Sequence, residues 1–206
     1  MDGVQPMTTG PRRGRPPAGG REQILKASLE VLRERGIARL TTREVAERAG
    51  VSEGSVFYHF GDRFGLLRAV FEGSLTPLLK LSVAGVAAAD VRTTLENFSD
   101  AVQGFLATGL DVLLAAHGDA ELREGTAAFL AEQDYGPHRG IRIIGDYLAT
   151  QQAAGSVRAD VDPRVVAYLI VSDALSRTMQ PKLLAHAKGV PTRKAFFDSI
   201  MAMLST

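Results

Sequence analysis

The chain has 206 residues and no cysteine, so it has neither a disulfide framework nor a thiolate metal site. No run of apolar residues is long enough to cross a bilayer. Met1 to Gly20 is rich in Pro, Gly and Arg and lacks the apolar centre of a secretion signal. Together these absences lead us to expect a cytoplasmic protein with no membrane partner. Catalytic patterns are missing as well. Of His59, His117, His138 and His186, no two lie at metal-ligand spacing on one helix. There is no phosphate-cradling glycine loop and no G-x-S-x-G elbow. Carboxylates are plentiful, but most sit on polar helix faces, and no catalytic pair stands out. The expectation is therefore a protein that is not an enzyme and that has no catalytic residue, metal or cofactor. The length allows one or two domains with a sizeable core.

The most informative stretch is Leu40 to Phe60, LTTREVAERAGVSEGSVFYHF. Thr41 and Glu44 form the T-x-x-E pattern of a capping box, which starts a helix. Val45, Ala46 and Ala49 give that helix a short apolar face. Gly50 stands where the chain must turn sharply, and glycine adopts positive φ at least cost. Ser52 can cap a second helix whose inward residues are Val56 and Phe60. Two short helices packed through Ala46, Ala49, Val51 and Val56 turn the second one outward, which is helix-turn-helix geometry suited to a DNA major groove. An ordinary helical corner with a solvated face shares part of this pattern. However, Phe57-Tyr58-His59 is too aromatic for a simple solvated face, and a further helix follows at once. Asp62 is its cap, with Phe64, Leu66, Leu67, Val70 and Phe71 as its apolar side.

Gly50 to Leu67, GVSEGSVFYHFGDRFGLL, resembles the end of the DNA-binding domain of the tetracycline-repressor (TetR) family. Those proteins show a similar run, Gly-Val-Ser-x-Gly-Thr-Leu-Tyr-x-His-Phe, then a polar turn, Lys-Glu and Leu-Leu. Leu40-Thr41-Thr42-Arg43 matches the start of the same domain's supporting helix. The resemblance covers roughly Gly20 to Phe71. It implies an all-α fold: a three-helix DNA-binding domain over residues 20–71, then a helical ligand-binding and dimerisation domain over residues 72–206. It also implies a repressor released from its operator by a small molecule. Thr42, Arg43, Ser52, Glu53, Gly54, Ser55, Tyr58, His59 and Arg63 occupy positions similar to DNA-contacting ones. Thr42 and Arg43 would hold phosphates, and Glu53, Gly54, Ser55 and Tyr58 would face the groove. His59 and Arg63 would meet the backbone again. Two departures stand out. Phe57 replaces the usual tyrosine, and Arg63-Phe64-Gly65 replaces Lys-Glu-x. Gly65 would weaken the helix start by about 1 kcal/mol relative to alanine.

Charge is distributed unevenly. Residues 1–70 hold 12 Lys/Arg and 8 Asp/Glu, a net +4, and the remainder holds 12 and 15, a net −3. A basic N-terminal part suits a nucleic-acid module. Residues 1–19 form a basic arm, read as disordered in isolation, in which Arg13-Gly14-Arg15-Pro16 resembles an AT-hook core. Either Arg13 and Arg15 enter a narrow minor groove, or the arm is a soluble tail.

Helical periodicity continues over Arg21–Arg35, Val91–Ala116, Glu121–Gln133, His138–Ala154, Pro163–Met179 and Thr192–Leu204. The first of these carries Ile24, Ala27, Ser28, Val31 and Leu32 on one stripe. Gly85 to Asp90 reads as a boundary. Pro163–Met179 is apolar nearly all round, and Thr192–Leu204 carries Phe196, Phe197, Ile200, Met201 and Leu204. These two C-terminal helices suit either a homodimer interface or burial within one subunit's core. Phe98, Phe105, Phe129 and Tyr147 are candidate linings for an apolar or aromatic effector. His117 and Asp173 are either satisfied core residues or polar groups of that pocket. The expected partners are thus double-stranded DNA bearing a palindromic operator, a small molecule and a second copy of the chain. An α-helical ligand carrier or enzyme with an incidental helix-turn-helix is the competing reading, and a nucleoid-type architectural binder a third.

Overall fold

The computed structural model describes residues 20–84 and 90–205, and every regular element among them is a helix. The first helix, α1, spans Gly20–Arg35, and its stripe of Ile24, Ala27, Ser28, Val31 and Leu32 is buried throughout. The buried Ser28 hydroxyl donates to the Ile24 carbonyl at 2.7 Å, so its burial leaves no polar group unpaired. A 3-10 turn, Ile37–Arg39, leads into α2, Thr42–Ala49, and α3, Glu53–Phe60. Next comes α4, Arg63–Ala84, which runs unbroken through Pro77. Then follow α5, Val91–His117; α6, Ala120–Glu132; α7, Pro137–Ala153; α8, Pro163–Leu184; and α9, Arg193–Leu204. The arm with Arg13 and Arg15 and most of the Gly85–Asp90 boundary lie outside the described residues. Asp90 itself caps α5 by accepting from the Thr93 amide at 3.0 Å.

Two apolar clusters form the core, and they do not divide at residue 71. The first joins α1 to α4 with the C-terminal half of α5 and the start of α6, through Leu66, Leu67, Phe71, Val112, Ala116 and Leu122. The second joins the N-terminal half of α5 to α7, α8 and α9, through Leu95, Phe98, Val102, Ile144, Ile170 and Phe197. The long helix α5 therefore serves both. Contrary to the sequence reading, α5 alone among the described residues has the length and apolar content of a bilayer span. Its side chains Leu95, Phe98, Val102, Val112 and Ala116 are instead buried in the two clusters.

The C-terminal helices differ from expectation in one respect. The α9 stripe of Phe197, Ile200 and Leu204 is buried within its own subunit. So is the inner stripe of α8, including Val166, Ile170 and Ala174. Arginines lash α9 to α5: Arg92 pairs with Asp198 at 2.9 Å, and Arg193 pairs with Asp100. Among the exposed residues of α8, Val165, Tyr168, Met179 and Leu183 form one helical stripe, with the half-buried Ser172 and Ser176 between them.

Candidate nucleic-acid interface and ligand cavity

The turn between α2 and α3 is set by local chemistry. The Thr41 hydroxyl accepts from the Glu44 amide at 3.1 Å, which caps α2. The reciprocal half of the capping box is absent. The Thr41 amide donates to the Arg39 carbonyl, and the Glu44 carboxylate pairs with Arg35 of α1. Gly50 ends α2 at φ 66°. Its amide donates to the Glu47 carbonyl and the Val51 amide to that of Ala46, the crossed pair of bonds that closes a helix on a left-handed residue. Ser52 then caps α3 by accepting from the Ser55 amide at 3.2 Å. Val56 fixes α3 inward, fully buried against the first cluster. Arg48 straps α2 to α1 by pairing with Glu30 and Glu34, and its guanidinium holds the Glu34 carboxyl below its usual range.

With Val56 inward, the opposite face of α3 is free. Glu53 and Gly54 are exposed, Phe57 is 52% exposed and Tyr58 is 77% exposed. Thr42, at the start of α2, donates to the Glu53 carboxylate at 2.7 Å, so both helix starts meet on one surface. Arg43 is 80% exposed beside them and, among the described residues, makes only a loose pair with Glu47 at 3.3 Å. Among the described residues outside its own helix backbone, a methyl group on Gly54 would meet nothing closer than the Ser52 hydroxyl at 3.8 Å. Packing within the chain does not call for glycine there.

Three expected contacts are placed otherwise. Ser55 is half-buried, and its hydroxyl is shared with that of Ser52 at 3.0 Å. His59 turns toward the start of α1, with Nε2 buried and without a hydrogen-bond partner among the described residues. Arg63 reaches away from α3 and pairs with Asp119, the cap of α6, at 3.2 Å. It links the start of α4 to the start of α6. Gly65 also differs from expectation. A methyl group there would sit 1.8 Å from the Phe60 carbonyl oxygen, so close approach demands glycine, and its low helix propensity is secondary. The Asp62 carboxylate caps α4 at this point by accepting from the Gly65 amide at 2.8 Å.

A cavity of about 420 Å³ opens among α4, α5, α7 and α8. Its walls are mostly apolar: Phe71, Phe105, Leu106, Leu110, Ile143 and Leu175 are among them, with Tyr135, Arg139 and Arg142 as the polar part. Of the six ligand candidates read from the sequence, only Phe105 lines it. Phe98 is buried in the second cluster, below Gly140 of the cavity wall. Tyr147 packs beside that same cluster. Phe129 faces a separate void of about 10 Å³ and meets the cavity residue Tyr135 in an edge-on ring contact. His117 is exposed at the end of α5, its Nδ1 2.8 Å from the Leu113 carbonyl. Asp173 is paired with Arg177 at 2.6 Å. The sequence reading missed Tyr135, Arg139 and Arg142. The turn at Gly136-Pro137 was the available signal, because it folds all three onto one wall.

Fold and surface define a class: an all-helical protein with an N-terminal helix-turn-helix joined through one helix to a bundle that encloses a cavity. Residues 24–70 match the family described as bacterial regulatory proteins, tetR family, and this domain belongs to the TetR family. The tetracycline repressor protein class C of Escherichia coli is 41% identical over 56 residues, 27% of this chain and 26% of that protein. The HTH-type transcriptional regulator CymR of Pseudomonas putida is 34% identical over 109 residues, 50% of this chain and 54% of that protein. The chain thus spans about a quarter to a half of the length of these relatives. Among solved structures, Salmonella enterica GusR superposes with a TM-score of 0.67 at 17% identity, covering 92% of this chain and 97% of that one. At that identity the shared property is the fold.

Proposed function

We propose that the chain is a sequence-specific DNA-binding transcription regulator, a repressor that leaves a palindromic operator when a small molecule enters the cavity. The outward face of α3 carries this reading. Glu53, Gly54 and Tyr58 are exposed on a helix whose inner face is fixed, and folding makes little use of Gly54 and Tyr58. Glu53 can accept from a cytosine amino group, and Tyr58 can reach a base edge. Gly54 lets the backbone come close. Thr42 and Arg43 hold phosphates beside the groove, and Arg13 and Arg15 of the arm enter the adjacent minor groove. The matched relatives are named as transcription regulators, and one solved structure of this fold is titled a complex of SmeT with triclosan.

The regulator acts as a homodimer through the C-terminal helices, chiefly the outward stripe of α8. Two α3 helices then reach successive major grooves. Ligand and operator are coupled through α4, because Phe71 belongs both to the first cluster and to the cavity wall. A second link runs through Asp111 of α5, between the cavity residues Leu110 and Leu113. It pairs with Arg33 of α1 and with Lys182 of α8. The cavity alone would suit a ligand carrier equally well; the free face of α3 favours the regulator. The chain has no assigned catalytic role in this reading.

Selection of bound DNA from a random pool tests it. An enriched inverted repeat is expected. Enrichment of no motif would point to a carrier or to non-specific binding, and an unpaired half-site would remove the dimer.

A further inference from the structure

The cavity has a charged end, and that end constrains what it takes. Arg139 and Arg142 lie three residues apart on α7, hence on one face of that helix, and both line the cavity. Neither is paired with a carboxylate among the described residues. On the neighbouring α8, by contrast, Arg164 pairs with Asp146 at 2.8 Å and Arg177 with Asp173 at 2.6 Å. The Arg139 guanidinium rests 5.1 Å from the centre of the Tyr135 ring, which orients it without neutralising it. The start of α7, at Gly136 and Pro137, lines the same wall and has no side-chain cap, so its positive end adds to the field. Aromatic and aliphatic side chains make up most of the remaining lining.

We propose that the effector is a small amphipathic organic anion, an apolar or aromatic body carrying one carboxylate or sulfonate. The body fills the space bounded by Phe71, Phe105, Leu106 and Leu110. The acidic group sits between Arg139 and Arg142, whose planar donors suit a two-oxygen acceptor. A neutral ligand of the same shape would leave both cations without an acidic partner and so gain nothing from them, which disfavours it relative to an anion. This inference rests on the cavity being the effector site.

Two fluorescent probes with the same aromatic skeleton separate the charge from the shape: 8-anilinonaphthalene-1-sulfonate, an anion, and N-phenyl-1-naphthylamine, which is neutral. Full-length protein should bind the sulfonate at least about tenfold more tightly than the neutral amine. Arg139→Gln with Arg142→Gln should erase that preference and leave the affinity for the amine within about twofold. Leu106→Trp, which fills the cavity, should weaken both probes. Equal binding of the two probes by the parent protein, with both lost in Leu106→Trp, would overturn the anion inference and leave the cavity as the effector site. Full binding of both probes by folded Leu106→Trp would overturn the cavity itself. A sulfonate preference that survives in the double variant would place the charge recognition elsewhere and refute the role of these arginines.

Discussion

On α3 the residues proposed to meet DNA are ones the fold leaves largely unused, whereas in the cavity the residues proposed to meet a ligand are themselves part of the wall. Tyr58 and Gly54 can change with little consequence for packing. Phe71 and Phe105 cannot, because the same side chains pack in the first cluster. Binding and stability are therefore separable in one region and entangled in the other. The same contrast appears on α8, where one face is core and the opposite face is free.

The largest effects should come from the entangled side. Phe197 is fully buried in its own subunit, so Phe197→Ala should cost about 3–5 kcal/mol. It should lower the melting temperature of monomer and dimer alike. Tyr168→Asp, on the outer face of the same bundle, should leave the fold intact and shift sedimentation toward the monomer. If Phe197→Ala melts normally and only dissociates, the assignment of inner and outer faces is reversed.

Next is Gly65→Ala. The clash with the Phe60 carbonyl oxygen should unsettle the start of α4 and reduce stability, although alanine is the better helix former by about 1 kcal/mol. A rise in melting temperature would show that the approach relaxes without cost.

The salt dependence of DNA binding distinguishes two arginines that look alike in the sequence. Arg43→Ala should flatten the slope of log K against log salt by about 0.9. Arg63→Ala should leave the slope unchanged, since its partner is Asp119, and should loosen the join between α4 and α6. Equal flattening by both would return Arg63 to the phosphate surface.

What the sequence made legible follows the same division. The helix-turn-helix could be read because its signals are local: a cap at Thr41, a left-handed turn at Gly50, a second cap at Ser52 and one buried Val56. Each acts within a few residues, so spacing alone reveals it. The surroundings of Arg63 and His59 could not be read this way, because they come from α6 and α1, distant in sequence. The same limit applies more strongly to the cavity. Aromatic content suggested Phe98, Phe129 and Tyr147. Whether an aromatic faces a void or fills a cluster depends on how helices cross, and nothing in its own helix encodes that. The stripe on α9 was visible as apolar, but apolarity does not say which subunit buries it.

The smallest effect expected is in acid. Lys194 and Arg92 hold the Asp198 carboxyl below its usual range, through hydrogen bonds first and charge second. A carboxyl lowered in the folded state supports the fold at neutral pH, and that support is lost as pH falls below about 4 and through the folded value. Asp198→Asn should therefore slightly lower stability at pH 7 and narrow its difference from the parent protein under acid. A constant difference across that range would detach the pair from folding.

The separation between fold and recognition is tested most directly at Gly54. Gly54→Ala adds a methyl group that the chain accommodates without a close contact, at a site where alanine favours the helix by about 1 kcal/mol. Melting temperature and operator affinity should be measured on the same sample. The expected result is an unchanged or higher melting temperature with operator affinity reduced at least about tenfold, the scale of one lost contact at a base edge. Unchanged affinity in a variant that melts like the parent would contradict the assignment of this face of α3 to DNA.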